Sequence, residues 1–215
     1  EEYEFLKGLN ADLAIVCAYG QIIPENFLNL TKKGFVNIHA SILPSWRGAA
    51  PIQRSIMNLD PETGISIMKI KKELDSGPVS NIYKIKIDQN QNAQEISEKL
   101  SALAAEKILD NVDDILEDKA KFIDQDHSKA TYAKKIDKEE SRIDWDEDAS
   151  KIIGKINGLF PSPGASFSFN GERYKILKAE IGNGIGQVGE IISNQLEVAC
   201  NKNQSIKILE IQRQG

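Results

Sequence analysis

The chain has 215 residues, 40% of them hydrophobic and 27% charged, which is typical of a globular protein with one large domain or two small ones. Its formal net charge of -5 does not indicate a nucleic-acid-binding protein, since such domains are usually basic, so any RNA-binding surface must be a local patch. No stretch approaches the ~20 consecutive apolar residues that span a membrane, and two cysteines with two histidines exclude a disulfide framework and a zinc motif.

The first elements along the chain predict a parallel sheet. Residues Ala11–Tyr19 form an apolar run before Gly20, the pattern of a strand that is buried on both faces, so Cys17 is expected to be a buried thiol. A short helix is predicted from Pro24, and Gly34–His39 is predicted to be the second strand. This order of elements favours an α/β fold.

The middle of the chain continues this pattern. Pro51 suits the first turn of a helix. Two strands, Gly64–Ile70 and the alternating Tyr83–Ile87, are predicted to pair around the loop between them. A long helix follows, with Asn92 as its N-cap and Glu95 three residues later.

The rest of the chain predicts a second, smaller domain. Residues 123–142 are polar and lack periodicity, so they are interpreted as a linker between domains at 1–122 and 143–215. Asn170-Gly171 between two apolar segments predicts a β-hairpin, and short strands with regular turns favour a small barrel or sandwich. The other predicted elements are the helix Ala149–Gly158 and the strands Val188–Ile192, Leu196–Cys200 and Ile206–Ile211.

Three polar residues are candidates for catalysis. Asn37 and His39 lie two apart on one predicted strand, so their side chains share a face near its carboxyl end, where open α/β sheets bind ligands. Asp75 follows another predicted strand. Two interpretations stay open at this point, because a histidine at a strand end is often structural and Asp-Ser-Gly is a common turn.

A longer motif surrounds these residues. The stretch from Asn37 to Pro51 reads NIHASILPSWRGAAP and Leu74–Gly77 reads LDSG, and together they resemble the folate-dependent formyltransferases. Further segments resemble the members of that family that act on methionyl-tRNA: Ala18–Gly20, Trp46–Arg54, Glu62–Gly64, Thr131–Ala133 and Lys138–Trp145.

The resemblance implies a fold and indicates how much of that fold the chain contains. It implies a Rossmann-like formyltransferase domain in residues 1–122, followed after the linker by a small OB-like β-barrel in residues 143–215 that binds tRNA. The family's sheet begins with strands that would precede Ala11, so the chain is expected to lack them and to be N-terminally incomplete.

The resemblance also implies a reaction. A formyl group passes from 10-formyltetrahydrofolate to the α-amino group of methionine on initiator tRNA, for translation initiation, without a metal. Asn37 would donate a hydrogen bond to the tetrahedral oxyanion and His39 would supply a second donor. Asp75 would favour a charged imidazole and take up the amine proton.

The folate co-substrate is expected to contact a loop next to the catalytic residues. The loop Ser41, Ile42, Leu43, Pro44 matches the family's folate-contacting segment, in which Ile42 replaces the usual Leu. Trp46 and Arg47 are expected to pack and brace this loop. His127, in the charged linker, is expected to be solvated and without a partner.

The implied partners are initiator methionyl-tRNA and the folate, with no membrane and no obligate protein partner. Too few cysteines for a disulfide framework favour a reducing compartment, the bacterial cytoplasm or, in a eukaryote, an organellar matrix. Nine cations could contribute to a tRNA-binding surface: Lys134, Lys135, Lys151, Lys155, Lys175, Lys178, Lys202, Lys207 and Arg213.

Two other functions remain open. The same chemistry could act on a nucleotide-sugar amine or glycinamide ribonucleotide, because these relatives share the Asn37, His39 and Asp75 trio. The chain could also be a folate- or RNA-binding module without turnover. A nicotinamide-binding domain is disfavoured, since no glycine-rich turn opens the first predicted helix.

Overall fold

The computed structural model describes residues 1–214 and divides into two compact units. Both are discontinuous along the chain. The first unit comprises residues 1–51, 62–85 and 98–135, and the second comprises residues 52–61, 86–97 and the described residues from 136 onward.

The described residues form four α-helices and ten strands. In the order of the chain these are α1 (Glu2–Gly8), β1 (Ala14–Cys17), β2 (Phe35–His39), β3 (Arg47–Gly48), α2 (Pro51–Met57), β4 (Glu62–Lys69), β5 (Val79–Lys86), α3 (Ala93–Leu116), β6 (Tyr132–Ala133), α4 (Ala149–Leu159), β7 (Ala165–Phe169), β8 (Glu172–Ile181), β9 (Glu197–Cys200) and β10 (Gln204–Gln214). No helix within residues 1–214 has both the length and the apolarity needed to cross a membrane.

The first unit is built on a mixed, Rossmann-like sheet with the strand order β1-β2-β4-β5. β1 and β2 run parallel, whereas β4 runs antiparallel to β2. Val36 of β2 and Ile67 of β4 are fully buried, and Ile115 of α3 packs against them. The predicted strands at 34–39 and 64–70 and the pairing of β4 with β5 are confirmed. The catalytic candidates therefore sit on a well-packed α/β layer.

Two predictions for the start of the chain are wrong. β1 is only four residues long and lies at one edge of the sheet, so alternate residues are exposed, and Cys17 is exposed rather than buried. Residues 24–30 form successive turns instead of a helix. The apolar run of β1 predicts a strand covered on both sides, but burial depends on neighbours that a single segment does not reveal.

The long helix α3 begins as its sequence predicts. The backbone N–H of Asn92 donates to Glu95 Oε2 at 2.9 Å, and the N–H of Glu95 donates to Asn92 Oδ1 at 3.0 Å. This reciprocal capping box satisfies two N–H groups that have no partner within the helix.

The second unit contains a curled antiparallel sheet with the order β7-β8-β10-β9. The predicted hairpin is confirmed, because Asn170 and Gly171 join β7 to β8 with φ angles of 49° and 79°, as a type I′ turn requires. Irregular register between Ile208 and Ile211 bends β10. Helix α4 packs on the sheet with Ile152, Ile156 and Leu159 fully buried.

One predicted strand of this unit is missing. Residues 188–192 form no regular strand, although an isolated bridge between Ile191 and Val198 and backbone hydrogen bonds to residues 197–199 join them to β9. Gly189 has a φ angle of 83°, in the left-handed region that favours glycine, and this interrupts an extended strand.

A partly buried ion pair joins two segments of the second unit. Arg54 Nη1 and Nη2 donate to the two carboxylate oxygens of Glu140 at 2.6 and 2.9 Å. Glu140 Oε1 also accepts from the backbone N–H of Asp137 at 2.9 Å. These hydrogen bonds, that of Arg54 foremost, lower the pKa of Glu140 from 4.5 to about 2.

This pair predicts a specific pH dependence of stability. Because folding lowers the pKa of Glu140, the pair stabilises the folded state above about pH 4.5, and the contribution disappears as the pH falls toward 2. We expect Glu140→Gln to lower the free energy of unfolding by about 1–2 kcal/mol near neutral pH, between the values for exposed and buried pairs.

Urea unfolding at a series of pH values measures this contribution. The difference in the free energy of unfolding between the wild type and Glu140→Gln should become smaller below about pH 4.5. Glu139→Gln, at the exposed neighbouring position, should differ little from the wild type at any pH. A difference for Glu140→Gln that stays constant down to about pH 2 would contradict the assignment.

Candidate active site

His39 and Asp75 meet at the carboxyl end of β2. His39 is the last residue of β2 and is buried, and Asp75 lies in the loop between β4 and β5 with a left-handed φ of 45°. His39 Nδ1 lies 3.6 Å from Asp75 Oδ2, within ion-pair range if the imidazole is protonated. The structure thus brings together two side chains that are 36 positions apart in the sequence.

The backbone of residues 46–48 contacts both of these side chains. His39 Nε2 lies 2.9 Å from the carbonyl oxygen of Trp46, and the N–H of Gly48 donates to Asp75 Oδ2 at 2.8 Å. A carbonyl can only accept, so His39 must carry its proton on Nε2. Nδ1 is therefore the ring nitrogen that faces the carboxylate.

Asn37 lies on the same face of β2 as His39. Asn37 is paired in register with Val16 of β1 and Met68 of β4, and it is partly exposed. The order of β2 residues thus places an amide two positions before the imidazole, as the alternation of side chains along a strand requires.

The predicted folate loop is anchored by Ser66 of β4, a residue that no motif in the sequence singles out. Ser66 Oγ donates to the carbonyl of Ser41 at 2.7 Å and accepts from the N–H of Leu43 at 3.1 Å. Ser41 and Leu43 are buried, whereas Ile42 and Pro44 are partly exposed. A ligand at this loop would therefore contact the side chains of Ile42 and Pro44 and the loop backbone.

Arg47 is buried, and Gln125 links it to the backbone of Asp75. Its Nε and Nη2 donate to Oε1 of Gln125 at 3.1 and 2.7 Å, and Nη2 also lies 3.2 Å from Nδ1 of His127. The expectation that Arg47 packs is confirmed by its burial, whereas its side-chain hydrogen bonds go to Gln125 and His127 and not to the loop of residues 41–44. The expectation that His127 lacks a partner is wrong, because its Nδ1 lies 3.2 Å from Arg47 Nη2, whereas the expectation that His127 is solvated is confirmed by its exposure.

The cations of the second unit do not form a uniformly basic sheet surface. In the register of β8 and β10, Lys178 lies opposite Glu210 and Lys207 lies opposite Glu180. Three other cations predicted to face tRNA are in ion pairs: Lys155 with Glu147, Lys202 with Asp148 and Arg213 with Glu172. Charge alone therefore does not locate a tRNA-binding surface on this unit.

Two models of formyltransferase domains match the chain. The model described as formyl transferase matches residues 1–112, and the model of the formyl transferase C-terminal domain matches residues 135–215. Within residues 1–214, no cluster of three or more His, Cys, Asp or Glu side chains is arranged to hold a metal ion.

The similarity to known proteins extends over the whole chain. A methionyl-tRNA formyltransferase of Pelagibacter ubique is 66% identical over 215 residues, which are 100% of this chain and 69% of that protein. A methionyl-tRNA formyltransferase of Dictyoglomus turgidum is 42% identical over 224 aligned residues, covering 100% of this chain and 71% of that protein.

Solved structures share the fold at lower identity. WlaRD, a sugar 3N-formyl transferase crystallised with dTDP and 5-N-formyl-THF, superposes with a TM-score of 0.77 at 21% identity, over 97% of this chain and 76% of that one. HypX from Aquifex aeolicus in complex with tetrahydrofolic acid gives a TM-score of 0.74 at 18% identity, over 95% of this chain and 36% of that one.

Proposed function

Because this chain belongs to the methionyl-tRNA formyltransferase family, we propose that it formylates the α-amino group of methionine on initiator tRNA. The formyl donor is 10-formyltetrahydrofolate, and the fold shared with folate-bound HypX and WlaRD supports a folate donor. The geometric observation that carries the chemistry is the approach of His39 Nδ1 to Asp75 Oδ2 at 3.6 Å.

The reaction exchanges one C–N bond for another. The methionine nitrogen attacks the formyl carbon, the carbonyl oxygen becomes an oxyanion, and the bond from the formyl carbon to N10 of the folate then breaks. The attacking amine loses a proton and N10 gains one, so charges and protons balance. A catalyst must stabilise the oxyanion and relay that proton.

Three side chains are assigned to these tasks. Asn37 and a protonated His39 donate to the oxyanion through the amide N–H and Nδ1–H, and one such donor contributes about 3–4 kcal/mol in other oxyanion holes. Asp75 supports the positive imidazole and accepts the amine proton. We assign that proton to Oδ1, because the imidazole and the Gly48 N–H both approach Oδ2.

The donor is assigned to the loop beside these residues. Ile42 and Pro44 would pack on the flat pteridine ring, and backbone groups of Ser41 and Leu43 would bind its polar edge. Ser66 supports this assignment, since its two hydrogen bonds hold the loop backbone in one conformation. A preformed loop binds a ligand without losing conformational entropy at that moment.

A division of labour along the chain follows. Residues 1–122 would carry out catalysis and residues 143–215 would bind tRNA. Residues 123–142 would connect the two regions, and the part up to residue 135 belongs to the first unit. The reaction would take place in the bacterial cytoplasm, where initiator tRNA is aminoacylated.

An acceptor assay tests the substrate. With 10-formyltetrahydrofolate as donor, we expect kcat/KM for methionyl-tRNA to exceed that for a nucleotide-sugar amine by at least about 10³-fold, since the contacts with tRNA are lost with the small acceptor. Deacylated initiator tRNA, which lacks the reactive amine, is the control.

Each other result has a distinct meaning. Preference for the nucleotide-sugar amine would replace the acceptor and keep the chemistry. Folate binding without transfer to either acceptor would favour a binding module and reject the enzyme.

Substitution of the paired side chains tests the mechanism. We expect His39→Ala and Asp75→Ala each to lower kcat by at least ~10²-fold, the scale of a lost acid–base group. Asp12→Ala removes a carboxylate from an exposed ion pair with Lys32 and should keep wild-type turnover. Circular dichroism would verify that each variant is folded, and near-wild-type turnover of either folded variant would remove that residue from the mechanism.

A further inference from the structure

Gln125 is a buried amide whose hydrogen-bonding capacity is fully used. Its Nε2 donates to the carbonyl oxygens of Asp75 and Gly77 at 2.8 and 2.7 Å, and its Oε1 accepts two hydrogen bonds from Arg47. Only one orientation of the Gln125 amide group is compatible with these hydrogen bonds. A flipped amide would set its oxygen against two carbonyls and its NH₂ group against a guanidinium.

The two carbonyls that Gln125 binds belong to the loop that presents the carboxylate. Asp75 has a φ of 45°, a left-handed conformation that costs a non-glycine residue about 1 kcal/mol or more, so contacts must hold it in place. Gln125 supplies two such contacts from outside the loop, one at Asp75 itself and one two residues later.

The same segment also holds the backbone that contacts His39. Thr131 Oγ1 accepts from the N–H of Trp46 at 2.9 Å, and the carbonyl of Thr131 accepts from the N–H of Arg47 at 2.9 Å. β6 then pairs with β3, where Gly48 lies opposite Ala133. A Cβ on Gly48 would lie 2.7 Å from the carbonyl oxygen of Ala133, so this close approach leaves room only for glycine.

Residues 125–133 are thus in contact with both halves of the active site. Through Gln125 they fix the loop of Asp75, and through Thr131 and Ala133 they fix the segment that hydrogen bonds to His39 and Asp75. A shift of this segment would change the distance between the imidazole and the carboxylate.

The group that accepts the hydrogen bonds of Arg47 is an uncharged amide, and this affects the charge near Asp75. Gln125 is neutral, so it satisfies the buried guanidinium without bringing a second negative charge close to Asp75. A carboxylate at position 125 would bind Arg47 more strongly but would repel the carbonyls of Asp75 and Gly77. The structure therefore requires donors at this position as well as an acceptor.

We propose that Gln125 is a positioning residue for the catalytic pair, and that residues 125–133 are the brace that sets the spacing of His39 and Asp75. The kinetic part of this proposal rests on the proposed formyl transfer. The structural part, that the amide donors of Gln125 hold the Asp75 loop, does not depend on any reaction.

Gln125→Glu is the first test, because it keeps the size and the acceptor for Arg47, removes the two donors and adds one negative charge. We expect kcat for methionyl-tRNA to fall by about 10- to 100-fold, as for a small misplacement of catalytic groups, with KM for the folate changed by less than about threefold. Gln125→Met also lacks the donors but adds no charge and removes the acceptor for Arg47, so the loss of the donors is the change that the two variants share; it should behave in the same way and serves if the Glu variant does not fold.

Amide hydrogen exchange supplies the second readout. In either folded variant, exchange of residues 73–78 should be at least about tenfold faster than in the wild type, while exchange in α3 stays unchanged. Gln21→Glu makes the same change of charge at an exposed position of the first unit and should leave both kcat and exchange as in the wild type.

Failure of this proposal is distinguishable from failure of the proposed function. If wild-type protein transfers no formyl group, the proposed function fails, and the exchange rates still test the brace. A folded Gln125→Glu or Gln125→Met variant with wild-type kcat, or with wild-type exchange at residues 73–78, would overturn the positioning role.

Discussion

The contact between His39 and Asp75 is the constraint on which the candidate active site depends. The imidazole comes from the end of β2 and the carboxylate from the loop after β4, so neither strand alone defines their separation of 3.6 Å. Backbone groups of Trp46 and Gly48 contact one side chain each, which ties both to a single short segment. The site is therefore set by backbone geometry and not by flexible side chains alone.

Residues outside the motif complete this arrangement. Arg47 and Gln125 are buried behind Asp75, and Ser66 holds the backbone of the neighbouring loop from the adjacent strand. Polar groups in such positions are costly when unpaired, so each forms several hydrogen bonds. A buried polar network of this kind limits movement of the loops that carry the candidate catalytic groups.

The sequence predicted the parts of the fold and site that depend on local patterns. Alternation in β5, the Asn92–Glu95 capping box and the Asn170-Gly171 turn all have short-range causes, and they were found where expected. The spacing of Asn37 and His39 likewise follows from strand geometry. The proximity of Asp75 was inferred from the resemblance to formyltransferases, because no local pattern links positions so far apart.

What the sequence did not reveal depends on distant partners. Gln125 and His127 lie in a polar segment without periodicity, and their contacts with Arg47 span 78 and 80 positions. Cys17 lies in an apolar run, yet it is exposed at the edge of the sheet. Position 189 adopts a left-handed conformation inside a stretch of apolar residues, which ended a predicted strand. Burial and pairing at these sites are properties of the assembled fold.

A crystal structure with bound 5-formyltetrahydrofolate, a stable relative of the donor, would show where the folate lies relative to the three candidate side chains. We expect the ligand to lie against residues 41–44. Asn37, His39 Nδ1 and the Asp75 carboxylate should all lie within about 4 Å of N10, the site of transfer, which is the reach of a hydrogen bond or one close contact. A ligand bound elsewhere, or an Asp75 carboxylate more than about 6 Å from that site, beyond even one bridging water, would contradict it.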